Sequence, residues 1–308
     1  FGHFTKKPNV CTLGVTITEV QQMDFKQRHT WLKIASCKSI SAKKRASIWQ
    51  KLTELDQYEM TTQTFAESFF PVDKRAQILM EIETAEACFF DDITLIWILE
   101  DAYPALLREI YEAPPILFCK GNIDLLQQQA IAIVGTRQMS EYGRKACVKI
   151  ASELVEHKLT IISGMAIGID TTSHRATLNK QGATIAVLGS GVNKIYPKKN
   201  ELLAKEIVKE GLLLSEYLPD EEAKRWHFPE RNRIISGLAI GTVIIEAAER
   251  SGSLITADIA LEQNRQVFAV PGNIFIDTWR GTNYLIQEGA KLVMNANNII
   301  EEFIQIKP

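Results

Sequence analysis

The run Ile131–Ala146, IAIVGTRQMSEYGRKA, decides the fold. An apolar stretch runs into Gly135, a polar turn follows, and a helix-like pattern begins, which is how a nucleotide-binding βα unit opens. A dinucleotide site would continue as G-x-G-x-x-G and place an acid about 20 residues further on, for the ribose. Counted from Gly135, the second and third glycine positions hold Arg137 and Ser140, and the next apolar run ends in Ser163-Gly164 with no acid at its tip. Both requirements fail, so neither NAD nor FAD is expected. An arginine at a strand tip is instead a permanently charged, bidentate ligand for phosphate. Capping of a nearby carbonyl, or pairing with an acid, accounts for Arg137 equally plainly.

Outward from this run the same grammar recurs in LTIISG, TIAVLG, GLLLSE, GTVIIEA, QVFAVPG and AKLVM, most of them separated by helical segments and none sharing a repeat motif. Near-continuous apolar strands alternating with helices mean a parallel sheet covered on both faces. The expected fold is therefore α/β, an extended Rossmann-like, doubly wound, mostly parallel sheet. Up to Cys119 the pattern is one of short helices. SAKKRASIWQKLTELD has a cap at Ser41 and a stripe of Ala46, Ile48, Trp49, Leu52 and Leu55, while PVDKRAQILMEIETAEACFF opens on Pro71 and sets Ala76, Leu79, Met80 and Ile82 on one side. DAYPALLREIYEAPPILFCKGN, with Pro104, Pro114 and Pro115, reads as a connection ending in the extended piece Ile116–Cys119. The expected division is a small helical domain over residues 1–100 and the Rossmann-like domain over 101–308.

The totals fit a soluble globular chain: 308 residues, 46% hydrophobic, 23% charged, net charge -2. A nucleic-acid partner would have to be held by a local patch. Cys11, Cys37, Cys88, Cys119 and Cys147 are scattered and never spaced C-x-x-C, which points to a reducing compartment and away from zinc. No membrane span, signal peptide, metal or cofactor is expected, and cytoplasm is the default; the start at Phe1 rather than Met reads as a fragment edge.

Most of the apolar runs end in small or polar residues, at the edge where open α/β sheets bind ligands. SGMAIGIDTTSHRA supplies Ser163, Gly164 and Gly168 in a turn, then Asp170 as a helix cap with His174 about one turn on. A phosphate loop backed by an Asp–His pair is one reading; a capping Asp170 and a satisfied, half-buried His174 is the preferred one. GSGVNKIYPKKNELLAKEI offers Lys194, Tyr196, Lys198 and Lys199, cations interleaved with a ring, which suit the phosphates and bases of a nucleic-acid strand. A solvated loop explains them as well. WHFPERNRIISGLAIG puts Arg231 and Arg233 around Asn232 in a first helical turn, against the helix dipole, as an anion would favour. A surface ion pair with Glu230 or Glu222 stays open. EAAERSGSLITADIALEQ places Ser251-Gly252-Ser253 before a helix, a nest for an anion.

In this combination and order the chain resembles the DNA-processing protein A family, DprA, also called Smf. The resemblance rests on AIVGTRQMSEYG, IISGMAIGIDTTSH, TIAVLGSGVNKIYPKKN, LLSEY, FPERNRIISGL, VIIEAAERSGSLITADIA, VFAVPGN and LIQEGAKLV, with YPALLREIYEAPPILFCKGN ahead of them, and spans about Tyr103 to Phe303. It implies a homodimeric, non-enzymatic protein that binds single-stranded DNA with little sequence preference. Such a protein protects incoming strands in competence and natural transformation, and helps load the RecA recombinase in DNA recombination. It also implies that the first hundred residues form a SAM-like domain. Carried over by motif, Arg137, Lys198, Arg231 and Arg233 would hold phosphates, with Lys194 in a lesser part. Gly135, Thr136, Ser163, Gly164, Gly168, Tyr196, Asn200, Asn232, Thr256 and the Ser251–Ser253 turn would shape the pocket. Leu285, Ile286 and Leu292 lie where the family self-associates. The sequence departs from the family pattern at Ile167, where many relatives are basic, at Thr136 in place of serine, and at Thr172 and Ser173 in place of alanine. The winged-helix domain that some relatives carry after Phe303 is expected to be absent.

Two competing readings belong beside this one. A nucleotide or phosphoribosyl hydrolase on a related Rossmann-like fold would use Glu246 at a strand end, with Asp170 nearby, for acid–base chemistry. The P-G-G-x-G-T-x-x-E run of the lysine-decarboxylase-like hydrolases is missing, and VPGN and LGSG are only fragments of it. Alternatively, the N-terminal half carries a protein-interaction role of its own.

Overall fold

The computed structural model describes residues 25–37, 39–54, 61–84 and 92–304. Seven apolar runs form the strands β3 (Ala130–Val134), β4 (Thr160–Ser163), β5 (Thr184–Val187), β6 (Leu212–Ser215), β7 (Gly241–Ile244), β8 (Gln266–Ala269) and β9 (Lys291–Leu292). The central ones are buried along their whole length, as strands covered on both faces must be. Side-chain alternation splits β3 between the faces: Ile131 and Ile133 join one apolar cluster, Ala130, Ala132 and Val134 the other. Helices α6 (Glu141–Glu156), α7 (Ile169–Asn179) and α8 (Glu201–Glu210) follow β3, β4 and β5, and α9 (His227–Gly237) and α10 (Gly252–Glu262) follow β6 and β7. α6 packs on α7, and α9 on α10.

Two further strands, β1 (Thr94–Trp97) and β2 (Ile116–Gly121), extend the sheet, and its order is β1-β2-β6-β5-β4-β3-β7-β8-β9. β1 and β2, and β2 and β6, pair antiparallel; the other pairs are parallel. The chain winds from β3 outward to β6 and then returns to the centre as β7, so the switch point lies between β3 and β7. The extended piece Ile116–Cys119 is the body of β2. β1 is a strand that sequence periodicity did not reveal, and it lies ahead of residue 100.

Before the sheet come α1 (Phe25–Ser36), α2 (Ala42–Glu54), α3 (Thr62–Phe69) and α4 (Val72–Thr84), with the short α5 (Ala105–Arg108) after β1. The Ser41 cap is present: its hydroxyl accepts the Lys44 N–H at 3.2 Å. Ala46, Ile48, Trp49 and Leu52 are buried, and Leu55 lies outside the described residues. In α4 the expected stripe is rotated. Ile78 and Ile82, one helical turn apart, face the core, while Ala76 and Met80 face solvent. α11 (Arg280–Gln287) and α12 (Asn297–Ile304) close the chain around β9. Cys37, Cys119 and Cys147 are buried free thiols; burial pushes Cys37 up to about 11 and Cys119 up to about 12. Cys11 and Cys88 lie outside the described residues.

Candidate functional site

At the switch point the N-terminus of α6 is where a Rossmann fold would seat a pyrophosphate. Here a side chain of the protein itself occupies that place. The Glu246 carboxylate, fully buried at the end of β7, accepts from the Ser140 N–H at 2.9 Å and the Ser140 hydroxyl at 2.8 Å. The Ser140 hydroxyl in turn accepts the Gly143 N–H at 3.0 Å, capping the helix. Gly143 lacks a Cβ because one would stand 2.0 Å from Glu246 Oε2. The dinucleotide position is thus filled from within by Glu246, whose Oε2 is held by Ser140 while its Oε1 lies buried without a hydrogen-bond partner among the described residues.

The ligand space lies beside this, above the tips of β3 and β7. The Thr136 hydroxyl accepts the Gln138 N–H at 3.1 Å, and the turn so formed leaves Arg137 exposed. Gly168, at φ 92°, lets the start of α7 press on this turn; a Cβ there would stand 2.4 Å from the Thr136 carbonyl. An open cleft of about 930 Å³ results, lined by Gly135, Thr136, Arg137, Tyr196, Arg231, Asn232, Ser251, Gly252, Ser253 and Thr256 from the sequence expectation. Its rim carries two further exposed arginines, Arg225 and Arg250, and Phe228. None of Arg137, Arg225 and Arg250 has an ion-pair partner among the described residues. The Arg137 guanidinium lies 5.8 Å from the Phe228 ring centre, and Tyr196 leans on the same ring at 5.4 Å. Ser251 caps α10, its hydroxyl accepting the Ser253 N–H at 3.3 Å and lying 2.7 Å from the Ser253 hydroxyl. A Cβ on the exposed Gly252 would meet nothing within 4 Å, so this helix start is open to an anion.

Other expected residues are placed differently. Arg231 is 4% exposed and forms the cleft floor: its Nη1 donates to the Gly164 carbonyl at 2.6 Å and to the Val187 carbonyl, tying α9 to the tips of β4 and β5. Arg233 is held away from phosphate, donating twice to the buried Glu216 carboxylate at 2.9 and 2.8 Å. The ion pair left open in the sequence is real, with Glu216 rather than Glu230 or Glu222 as partner. Ser163 is buried and donates to the Ile133 carbonyl. Asn200 is buried too, donating to the Met165 carbonyl at 2.8 Å and the Thr171 hydroxyl at 2.9 Å. Lys194 pairs with Glu222 at 3.6 Å. Lys198 is exposed two residues beyond Tyr196 and does not line the cleft.

Asp170 is not the cap of α7, a position held by Gly168. Its carboxylate accepts the Ala166 N–H at 3.2 Å, and burial pushes it above the usual carboxylate range against the opposing pull of Arg231. His174 is fully buried rather than half-buried. Burial, helped by Arg231, lowers it to about 3. Thr184 donates its hydroxyl to the Ile161 carbonyl at 2.8 Å, so His174 Nδ1, 2.7 Å from Thr184 Oγ1, carries the ring proton. Of the three residues expected at a dimer contact, Leu285 belongs to the core, Ile286 packs against it and Leu292 is exposed.

Arg225 and Arg250 went unnoticed in the sequence, and Phe228 belongs to the aromatic cluster beside Arg231 and Arg233 in WHFPERNR. Arg250 had a signal: it lies between β7 and α10 as Arg137 lies between β3 and α6. No group of His, Cys, Asp or Glu able to hold a metal ion occurs among the described residues.

A doubly wound sheet with its helix N-terminus filled by Glu246, and an arginine-rimmed cleft beside it, defines a Rossmann-like protein whose open strand-tip cleft lies outside the dinucleotide position. The chain belongs to the DNA recombination-mediator protein A family, which matches residues 94–304. DNA processing protein DprA of Streptococcus pneumoniae is 50% identical over 206 residues, 67% of this chain and 73% of that protein. Its Bacillus subtilis counterpart is 45% identical over 211 residues, 68% of this chain and 71% of that protein. The crystal structure of the Streptococcus pneumoniae protein superposes with a TM-score of 0.81 at 38% identity, covering 91% of this chain and 99% of that one. A solved structure of DNA processing protein A from Helicobacter pylori, reporting its unique single-stranded DNA binding mode, gives 0.63 at 29% identity over 69% of this chain and 96% of that one. The fold and the family expected from the sequence are thereby confirmed.

Proposed function

We propose that the strand-tip cleft binds single-stranded DNA through its backbone, without sequence preference, and that the protein hands the strand to a RecA recombinase. The observation that carries this is the convergence of exposed Arg137, Arg225 and Arg250 on one cleft that also holds two rings and an open helix start. Charges without ion pairs serve phosphates, and ring faces accept any base. The single-stranded DNA binding of the Helicobacter pylori relative supports the same reading. Binding rather than catalysis is favoured by the two acids of the hydrolase reading: Glu246 is fully buried with one oxygen accepting twice from Ser140, and Asp170, in the cleft wall, accepts the Ala166 N–H. We further propose a cytoplasmic homodimer acting in natural transformation, joined through the C-terminal segment that exposes Leu292. Among the described residues no helix is long and apolar enough to cross a membrane.

The test is fluorescence anisotropy on labelled oligo-dT and a matched duplex over a salt series. With about four phosphate contacts, log K against log salt should slope at roughly -3, about a fiftyfold loss between 50 and 200 mM salt. Equal binding of duplex and single strand, or a flat salt response, would overturn the proposal.

A further inference from the structure

The loop between β8 and α11 rises from the same sheet edge as the cleft, since β8 runs parallel to β7 beside it. It is pinned along its length. The Tyr142 hydroxyl donates to the Pro271 carbonyl at 3.2 Å, and the Gly272 N–H and carbonyl both bond the Asn283 amide at 3.1 Å. Asn273 turns the chain, its side chain accepting the Phe275 N–H at 2.9 Å and its carbonyl the Ile276 N–H at 3.1 Å. Trp279, fully buried, anchors the far end, and the Gly281 N–H donates at 2.8 Å to the Ala247 carbonyl, in the segment that leads to Arg250. On this fixed turn Ile274, Phe275 and Ile276 stand 71%, 88% and 44% exposed. Single exposed apolar residues are ordinary. Three in succession, on a turn held this firmly and beside a ligand cleft, form a presented surface.

We infer that Phe275, flanked by Ile274 and Ile276, is a stacking platform for a base of the bound single strand; this rests on the single-strand reading of the cleft. Residues 273–276 carry no charge, so the crest offers nothing to phosphate and a ring face to bases. In the sheet order, Tyr196 follows β5 and Phe275 follows β8, on opposite sides of the β3–β7 switch point. A strand crossing the tips would therefore have its phosphates held at the centre and its bases met by a ring at either end. Both sites are sequence-tolerant, as stacking is.

The experiment places 2-aminopurine at successive positions of an oligo-dT strand and follows its fluorescence and affinity with wild type, Phe275→Ala, Phe275→Leu, Phe275→Trp and Arg137→Ala. The expected result is that Phe275→Ala and Phe275→Leu weaken binding about tenfold and abolish the fluorescence change at one or two adjacent positions, while Phe275→Trp retains both. Normal binding by Phe275→Ala, with Arg137→Ala impaired, overturns the platform and leaves the cleft reading intact. Normal binding by Arg137→Ala overturns the cleft reading and the platform with it. Sedimentation of the same variants covers the other occupant: a change in oligomeric mass by Phe275→Ala without a change in DNA affinity gives the crest to a second copy of the chain.

Discussion

Arg137 and Arg233 look alike in the sequence, each an arginine near a strand-tip motif, and the structure separates them by what they touch. Arg137 faces the cleft with a ring beneath it; Arg233 neutralises the buried Glu216. Arg137→Ala should weaken single-strand binding at least about tenfold, the loss of one charge-assisted contact, and leave thermal stability unchanged. Arg233→Ala should do the reverse. It strands Glu216 in the interior at a cost of about 3–5 kcal/mol, which at ~2–4 °C per kcal/mol lowers Tm on the order of 10 °C in a melting scan. The sequence showed which loops line the cleft, because strand ends are legible; it did not show which side chains are buried, because an arginine bonded to carbonyls is written like one bonded to solvent. His174 makes the same point through pH. Its value falls from 6.5 unfolded to about 3 folded, so above pH 6.5 neither state holds the proton. As pH drops below 6.5 the unfolded chain binds a proton that the native chain refuses until about 3, and stability is lost across that window. The loss at pH 5 is on the order of 2 kcal/mol. Urea midpoints of wild type should therefore fall more steeply from pH 7 to pH 5 than those of His174→Gln; parallel lines would contradict the buried neutral imidazole.

At the scale of elements, the start of α6 shows why a Rossmann-like sequence lacks the second glycine. The fingerprint glycines make room for a pyrophosphate, whereas here Gly143 makes room for Glu246. Gly143→Ala has a φ any residue can adopt and should still destabilise the fold by about 1–3 kcal/mol, because the added methyl displaces a buried carboxylate from its donors. A chemical-denaturation curve reads this directly, and a neutral outcome would mean Glu246 is free to move. The strands β3 to β8 were legible because each is a short, mostly buried apolar run bounded by turn residues. β1 was not: TLIW is too short for periodicity to distinguish strand from helix, and its place is set by antiparallel pairing with β2, a distant segment. In α4 the apolar residues Ala76, Leu79, Met80 and Ile82 compete with Ile78 for the core, and tertiary packing on the other helices chose Ile78 and Ile82.

For the whole molecule, the join between helical unit and sheet includes, beside shared apolar packing, one buried cation that the sequence disguises. Arg45 sits in SAKKRAS, which reads as a solvated cationic run, yet it is 5% exposed. Its Nη1 donates to the Ala35 and Ile40 carbonyls at 3.2 and 2.8 Å, closing the α1–α2 turn, and its Nη2 donates to the Glu216 carbonyl at 3.2 Å, just past β6. Glu216 in turn holds Arg233 on α9, the helix that also carries Arg231 and Asn232 into the cleft. Helical unit, sheet and cleft floor are thus linked through consecutive polar contacts. Arg45→Ala removes the donors and leaves three buried carbonyls short of a partner, each worth about 1–3 kcal/mol. The sheet core does not depend on those carbonyls, so the loss should be local. Amide exchange should quicken in α1 and α2, while β3, β4 and β7 keep their protection. Because the Arg233–Glu216 pair survives the substitution, single-strand affinity should fall less than threefold. A uniform loss of protection across the sheet would instead make the helical unit part of one cooperative core. A collapse of DNA binding with the sheet still protected would give the helical unit a direct hold on the strand.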